Sequence, residues 1–232
     1  AKLIEGALKG EVVAAVNMPP IKADNMEEIK PYVKLGEILG KIYYQAEKDT
    51  VHKLEVIYSG ELAKKDTGLI TLSVLKGFVE QARTEPINYV NAPYIAKNMG
   101  IEVVESKSTN LDKYTSLITV KFTTKKKELS VSGTVFAKEE IRIVDFFGYK
   151  LDFEPTPHVI AIQNIDKPGV IGKIGTILGN SNINISAMQW SSNRKRDNKA
   201  VAFVSVDCAV PENVLDELRK IDGVLKVSML SF

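Results

Sequence analysis

This sequence contains few cysteine and histidine residues, and its net charge is small. Cys208 is the only cysteine among 232 residues, which excludes an internal disulfide and any zinc or iron–sulfur site built from cysteines. The 31 basic and 29 acidic residues leave a net charge of +2, too weak a sign to indicate nucleic acid or an anionic membrane as a partner. No apolar run approaches the roughly 18 residues that a membrane span needs. These absences favour a globular protein of the reducing cytoplasm.

Few side chains in the sequence are candidates for a catalytic role. His52 begins a predicted strand and His158 lies at a predicted domain junction. Neither has a serine, cysteine or carboxylate nearby in a pattern that suggests a triad. No cluster of potential ligands has the spacing of a metal site. We therefore predict no catalytic residue and no metal ligand in this chain.

Helices and strands are mixed in the first 150 residues. Residues 1–10 are typical of an amphipathic helix, and a chain that starts inside a helix indicates a piece of a longer protein; a native start without its methionine is the alternative. Further helices are predicted at 26–47, 69–82 and 95–99, and strands at 54–58, 101–104, 117–123, 129–136, 142–145 and 149–152. The turn at Lys125–Lys127 favours a solvated hairpin tip over an anion patch. This pattern predicts an α/β domain.

A second domain is predicted after the proline-rich segment Glu154-Pro155-Thr156-Pro157, which is typical of a stiff linker. Strands are expected at 159–163, 185–190, 200–206 and 224–230, and helices at 169–178 and 211–220. The order βαββαβ is the ferredoxin-like layout, with both helices on one face of an antiparallel sheet. The fold class of the whole chain is therefore α+β.

Three glycines share one face of the first helix in this second domain. Gly172, Gly175 and Gly179 recur at helical spacing, although each costs about 1 kcal/mol relative to alanine. A helix that keeps one face bare allows a backbone, a subunit or a ligand to approach, with a glycine-tolerant surface helix as the alternative. The spacing G-x-x-G-x-x-G lacks the tight first turn of a dinucleotide-binding motif, so we do not expect NAD to bind here.

The turn that leads into this helix is the best candidate for a ligand site. Asp166 is expected to cap the helix, Pro168 to begin its first turn and Gly169 to allow close approach of the backbone. A helix N-terminus suits a carboxylate, and Asp166 suits an ammonium group. Asn164 and Asn184 add donors and acceptors. Together these groups describe an amino-acid pocket, and an ordinary capped turn is the alternative.

At these residues the sequence resembles a known family. The segment Asn164-x-Asp166-Lys167-Pro168-Gly169-Val170, with Asn184-Ile185 following sixteen residues after the proline, resembles an ACT domain, a small-molecule-sensing βαββαβ module. Other segments are similar to the C-terminal half of long-form D-3-phosphoglycerate dehydrogenases: Ala15-Val16-Asn17-Met18-Pro19, Tyr58-Ser59-Gly60-Glu61-Leu62-Ala63, Val90-Asn91-Ala92-Pro93, Gly100-Ile101-Glu102-Val103, Glu105-Ser106-Lys107-Ser108 and Gly148-Tyr149. The resemblance covers nearly the whole chain.

This resemblance implies a division of the chain into three parts. Residues 1–20 would connect to a catalytic region outside this chain, residues 21–153 would form an allosteric substrate-binding (intervening) domain, and residues 154–232 an ACT domain. The family implies an NAD-dependent oxidoreductase that oxidises 3-phosphoglycerate in L-serine biosynthesis, assembles as a homodimer or homotetramer and is inhibited by L-serine. Its catalytic residues and NAD-binding glycines have no matching positions here, so NAD is implied for the full-length protein and no cofactor for this chain.

The resemblance also implies which residues bind the effector. L-Serine would lie between two ACT domains, held by Asn164 and Asp166, by the backbone at Gly169 and Val170, and by Asn184 from the partner subunit.

A phosphate site in the intervening domain is also implied. Arg142 matches a basic residue of the family that would meet a substrate phosphate, whereas a second basic position is Glu154 here. An ordinary surface arginine is the alternative for Arg142.

Two other functions remain open. The chain would serve only for assembly if the effector pocket has lost its function, and binding of L-serine discriminates between these cases. The regulatory portion of an iron–sulfur L-serine dehydratase shares both module types, but the single cysteine and the segment at residues 91–93 argue against it. We predict neither nucleic acid nor membrane as a partner.

Overall fold

The computed structural model describes residues 23–109, 113–137, 139–192 and 198–232. The helix predicted at residues 1–10 and the connecting segment 1–20 lie outside these ranges. None of the described helices is both long enough and apolar enough to cross a lipid bilayer.

The first region, up to residue 153, is a six-stranded sheet covered by helices. Its elements are α1 (Ala23–Ala46), β1 (Val51–Gly60), α2 (Gly68–Glu80), α3 (Ala92–Asn98), β2 (Glu102–Ser108), β3 (Ser116–Thr124), β4 (Glu128–Phe136), β5 (Glu140–Phe146) and β6 (Tyr149–Phe153). The strand order is β2-β1-β3-β4-β5-β6; β1 and β2 are parallel, and the other neighbouring pairs are antiparallel. The predicted mixture of helices and strands is confirmed in this region.

Aromatic rings fill the core between these helices and the sheet. Burial alternates along β1 and β3, so that every second side chain enters the core. Tyr43 of α1 stacks on Phe122 of β3 with ring centroids 4.7 Å apart, and Phe78 of α2 lies 5.7 Å from Phe122. Burying such rings removes a large apolar area from water and fixes both helices on the sheet.

Glycines allow α1 and α2 to pack backbone against backbone. A Cβ atom placed on Gly40 would lie 2.1 Å from the carbonyl oxygen of Val74, and one on Gly77 would lie 2.2 Å from the carbonyl oxygen of Glu37. An ion pair between Lys76 and Glu37, 2.9 Å long, spans the same contact. Burial raises the pKa of the Glu37 carboxyl, but the hydrogen bonds and charges of Lys76 and Lys41 outweigh this effect, so the pKa lies below its ordinary value.

The second region, from residue 158 onward, has the predicted ferredoxin-like fold. Its elements are β7 (His158–Ile165), α4 (Val170–Asn180), β8 (Ile185–Ser192), β9 (Lys199–Val206), α5 (Glu212–Arg219) and β10 (Val224–Ser231). The antiparallel sheet has the order β10-β7-β9-β8, which leaves β8 and β10 at its edges. Both helices pack on one face, in a core that includes Ile160, Ile174, Val204 and Leu218.

The opposite face of this second sheet packs against the first region. Val159, Ala161 and Val201 belong to the same buried cluster as the core of the first region. Phe203 of β9 stacks on Phe153 of β6, with ring centroids 4.6 Å apart. Gln45 of α1 exchanges two hydrogen bonds with the backbone of Ser231. The two central strands of the second sheet, β7 and β9, are therefore buried on both faces.

Candidate effector-binding site

The candidate turn lies where β7 ends and α4 begins. Gly169 is the N-cap of α4 and has φ +90°, a left-handed conformation that glycine adopts at low cost. The side chain of Val170 is only 2% exposed and packs in the core beneath the helix. These two neighbours fix the first turn of α4 at the end of the sheet, with its amide groups directed away from the helix.

Asp166 does not cap α4, so that prediction is wrong. The helix begins at Val170 with Gly169 as its N-cap, which leaves Asp166 three residues too early to cap it. The carboxylate of Asp166 instead accepts a hydrogen bond of 2.6 Å from the hydroxyl of Ser192, and its backbone N–H donates to the carbonyl of Asn198. Within the described residues, no side chain caps the first amides of α4, which suits a carboxylate ligand.

Asn164 is fully buried beside this turn. Its side-chain Nδ2 donates a hydrogen bond of 2.7 Å to the carbonyl oxygen of Ile165. Its Oδ1 atom is buried and has no hydrogen-bond partner among the described residues. Leaving a buried acceptor unsatisfied costs about 1–3 kcal/mol. An additional donor beside Asn164 would remove this cost.

Asn184 lies at the other end of the sheet. It directly precedes β8, and its backbone N–H donates a hydrogen bond to the side chain of Asp207. In the sheet register, Ser192 and Asn164 are both partners of Ala200, so Ser192 marks the end of β8 that lies near the turn. Asn184 is eight residues earlier, roughly 26 Å away at 3.3 Å per residue. One chain therefore brings together Asn164, Asp166, Gly169 and Val170, but not Asn184.

The bare face predicted for α4 is confirmed. Cβ atoms built on Gly172, Gly175 and Gly179 would meet nothing within 4 Å. Beside them lies a shallow depression of about 400 Å³, and the neighbouring Ile171 is 48% exposed. The helix thus presents a flat surface with an apolar rim.

Lys167, within the same turn, is paired with the carboxylate of Asp222. Its ammonium group lies 2.5 Å from Oδ2 of Asp222, and this contact lowers the pKa of the Asp222 carboxyl. Lys167 is therefore not a ligand-facing cation in this arrangement.

Arg142 of β5 is surrounded by carboxylates. Its guanidinium group lies 3.1 Å from Glu154 and 3.5 Å from both Glu140 and Asp152. Three acidic side chains around one arginine repel a second anion, so the geometry does not favour a phosphate at Arg142.

Ser192 is the contact residue that sequence reasoning missed. Its hydroxyl holds the carboxylate of Asp166, although the two residues are 26 positions apart. The contact depends on the pairing of β8 with β9, and no spacing in the motif around Asp166 indicates it.

Comparisons with known proteins agree with this architecture. Residues 28–147 match the family model of the D-3-phosphoglycerate dehydrogenase intervening domain, and residues 158–223 match the model of the ACT domain.

Several longer proteins that resemble this chain are named D-3-phosphoglycerate dehydrogenase. A D-3-phosphoglycerate dehydrogenase of Methanocaldococcus jannaschii is 37% identical over all of this chain and 44% of its own length. Proteins so named from Archaeoglobus fulgidus and Bacillus subtilis are 36% and 32% identical, over 91% and 94% of this chain and 40% and 42% of their own lengths. This chain thus spans less than half of these relatives. It belongs to the D-3-phosphoglycerate dehydrogenase family, of which it carries the intervening domain and the ACT domain.

Proposed function

We propose that this chain is the regulatory and oligomerisation region of an NAD-dependent D-3-phosphoglycerate dehydrogenase of L-serine biosynthesis, and that it binds L-serine for feedback inhibition. In this proposal, residues 21–153 form the intervening domain, residues 154–232 the ACT domain, and residues 1–20 lead to a catalytic region outside the chain. The observation that carries the proposal is the buried, unpaired Oδ1 of Asn164 next to the uncapped amides of α4.

The chemistry of this turn matches a zwitterionic amino acid. A ligand carboxylate would accept hydrogen bonds from the amides of Gly169 and Val170, since Pro168 has no N–H to donate. The ligand ammonium would face the carboxylate of Asp166, which Ser192 already orients. Because Oδ1 of Asn164 is shielded from solvent, a ligand hydroxyl would donate to it only after this side chain turns towards the ligand, and that bond would satisfy the orphaned acceptor.

A second copy of the chain would complete this pocket. Strand β8 is an edge of its sheet, and two copies of an edge strand can pair antiparallel about a two-fold axis. Such pairing would bring Asn184 of the partner subunit next to Ser192 and Asp166, because the start of one β8 would then lie opposite the end of the other. The bare glycine face of α4 would allow the two helices to approach closely.

The residues around α4 do not fit NAD. Helix α4 connects β7 with β8, and β9 lies between these two strands in the sheet. Dinucleotides bind where a glycine-rich turn joins a strand to a helix of a parallel sheet, which this antiparallel arrangement does not provide. Oxidation of 3-phosphoglycerate with NAD is accordingly proposed for the full-length protein and not for the turn at α4.

Titration calorimetry and thermal melting with L-serine test the effector role. We expect saturable binding and a melting temperature several degrees higher, because a ligand at a hundredfold excess over Kd stabilises the folded state by about 2.7 kcal/mol. D-Serine misplaces the hydroxyl and L-alanine lacks it, so both should act poorly. If millimolar L-serine gives neither heat nor a melting shift, the effector role is wrong and a purely structural assembly module takes its place.

The assembly role has support of its own in the open glycine face and the edge strand β8. Sedimentation at tens of micromolar chain is expected to show at least a dimer. Gly175→Leu should weaken self-association at least tenfold, with little change in the circular dichroism of the chain, because a bulky side chain would fill the bare face. Asn213→Leu adds similar bulk to the exposed side of α5 and serves as the control. A monomeric wild-type chain would contradict this assembly.

The dehydratase alternative is not favoured by the comparisons. The similar proteins described above are named D-3-phosphoglycerate dehydrogenases, and the matched intervening domain carries the same name.

A further inference from the structure

Edge strand β10 of the ACT sheet lies beside the end of α1. Gln45, in the last turn of α1, donates a hydrogen bond of 3.1 Å from Nε2 to the carbonyl oxygen of Ser231. Its Oε1 atom accepts a hydrogen bond of 2.7 Å from the backbone N–H of the same residue. A residue of a neighbouring antiparallel strand would exchange the same pair of hydrogen bonds with Ser231. The side-chain amide of Gln45 therefore takes the place of a further strand.

The direction of the Ser231 groups shows which residues of β10 face outward. Backbone groups of successive residues point alternately to the two sides of an antiparallel strand. The register with β7 is regular from Lys226 to Ser231, so Val227 and Met229 direct their backbone groups outward as well. In the described part of the chain, no segment beside β10 hydrogen-bonds these two residues. A bulge between Val224 and Lys226 ends the regular edge on the other side.

This short edge could pair with the same edge of a second copy. Antiparallel pairing about a two-fold axis at Met229 would place Met229 opposite its own copy, and Val227 opposite Ser231 on either side of the axis. Each of these pairs would exchange both of its backbone hydrogen bonds. Gln45 already occupies Ser231 in every copy, so it removes both outer pairs and leaves only the central one.

We propose that Gln45 closes the β10 edge against a second copy of this chain and so limits assembly through the ACT sheet to two chains. This inference rests on the proposed pairing of two β8 strands. If β10 were open as well, the joined sheet of each dimer would have a free edge at both ends, and further copies would extend it into an unlimited ribbon. With β10 closed, assembly through this sheet ends at a pair.

Sedimentation of the full chain at increasing concentration, up to hundreds of micromolar, tests this proposal. Gln45→Ala frees the backbone groups of Ser231, so association through β10 should strengthen at least tenfold, and species larger than the wild-type assembly should grow with concentration. Gln81→Ala makes the same change at the exposed end of α2 and should sediment like wild type. The double variant Gln45→Ala, Gly175→Leu should stop at two copies, because mainly β10 is then available for pairing.

Hydrogen exchange at a concentration too low for association gives a second measurement. The amide of Ser231 should exchange several-fold faster in Gln45→Ala than in wild type, because it loses its acceptor. The amide of Leu230 points towards β7 and should exchange at the same rate in both, which also shows that the variant keeps its sheet. Unchanged exchange at Ser231 would contradict the closure.

The outcomes distinguish this inference from the assembly role. If wild type and Gln45→Ala both stop at two copies, the closure is wrong and the pairing of β8 stands. If wild type is monomeric and only Gln45→Ala dimerises, the closure is supported and the pairing of β8 is wrong. Monomers in both cases contradict both proposals. A wild-type assembly that grows without limit overturns the closure, as does an equal gain of association in Gln81→Ala.

Discussion

Mixing two inactive variants is expected to restore L-serine binding. Asp166→Ala should abolish the thermal shift given by L-serine, because the ligand ammonium loses its charged partner. Asn184→Ala should do nearly the same, because each pocket needs this side chain from the partner subunit. In a mixed dimer, one pocket carries both substitutions and the other carries neither. Statistical mixing therefore leaves about one quarter of the wild-type number of pockets intact.

Calorimetric stoichiometry of the refolded mixture measures this recovery. Asp222→Ala is the matched control, since it removes a neighbouring exposed carboxylate whose ion pair with Lys167 contributes little to stability. It should retain the full response to L-serine. Binding by neither the single variants nor their mixture would mean that the pocket does not combine residues of two subunits.

The second large effect is expected at the contact between α1 and α2. Gly40→Ala should lower the free energy of unfolding by about 3 kcal/mol, at the upper end of the usual range for overpacking. Its Cβ atom would meet the carbonyl oxygen of Val74 at 2.1 Å, and relief requires that two helix backbones move apart.

Gly36→Ala at the same helix contact is the control. The nearest atom to its Cβ is the Oγ of Ser73, at 2.3 Å, and this side chain can rotate away. Rotation gives up the hydrogen bond from Ser73 to the carbonyl of Ile70, so the expected loss is about 1 kcal/mol. Urea denaturation at unchanged m-value measures both variants. Equal losses of unfolding free energy in the two variants would show that a clash with backbone at Gly40 costs no more than a clash with a side chain at Gly36.

Local periodicity was sufficient to predict the ACT fold. Strand alternation, helix repeats and the order βαββαβ lead to the observed sheet with both helices on one face. Strand β2 was predicted to end at Val104 and extends to Ser108. Its second half, Glu105-Ser106-Lys107-Ser108, is polar because β2 is an edge strand, and polar residues give no periodic signal.

Contacts between distant segments could not be predicted from the sequence. The neutralisation of Arg142 by three carboxylates and the bond from Ser192 to Asp166 both depend on strand pairing. One signal was overlooked. Val159-Ile160-Ala161-Ile162 is continuously apolar, which is typical of a strand covered on both faces. It indicates that the ACT sheet packs on a second layer, here the intervening domain.

Strands β7 and β9 are covered on both faces, so a change in the stability of one domain reaches the other. Side chains of β7 and β9 belong to the hydrophobic core of the intervening domain, so neither domain can lose its structure without exposing apolar surface of the other. We therefore expect the two domains to unfold as one cooperative unit. If the proposed effector binds at the end of β7, we expect it to slow hydrogen exchange of the backbone amides in the six-stranded sheet as well, although that sheet would not contact the ligand.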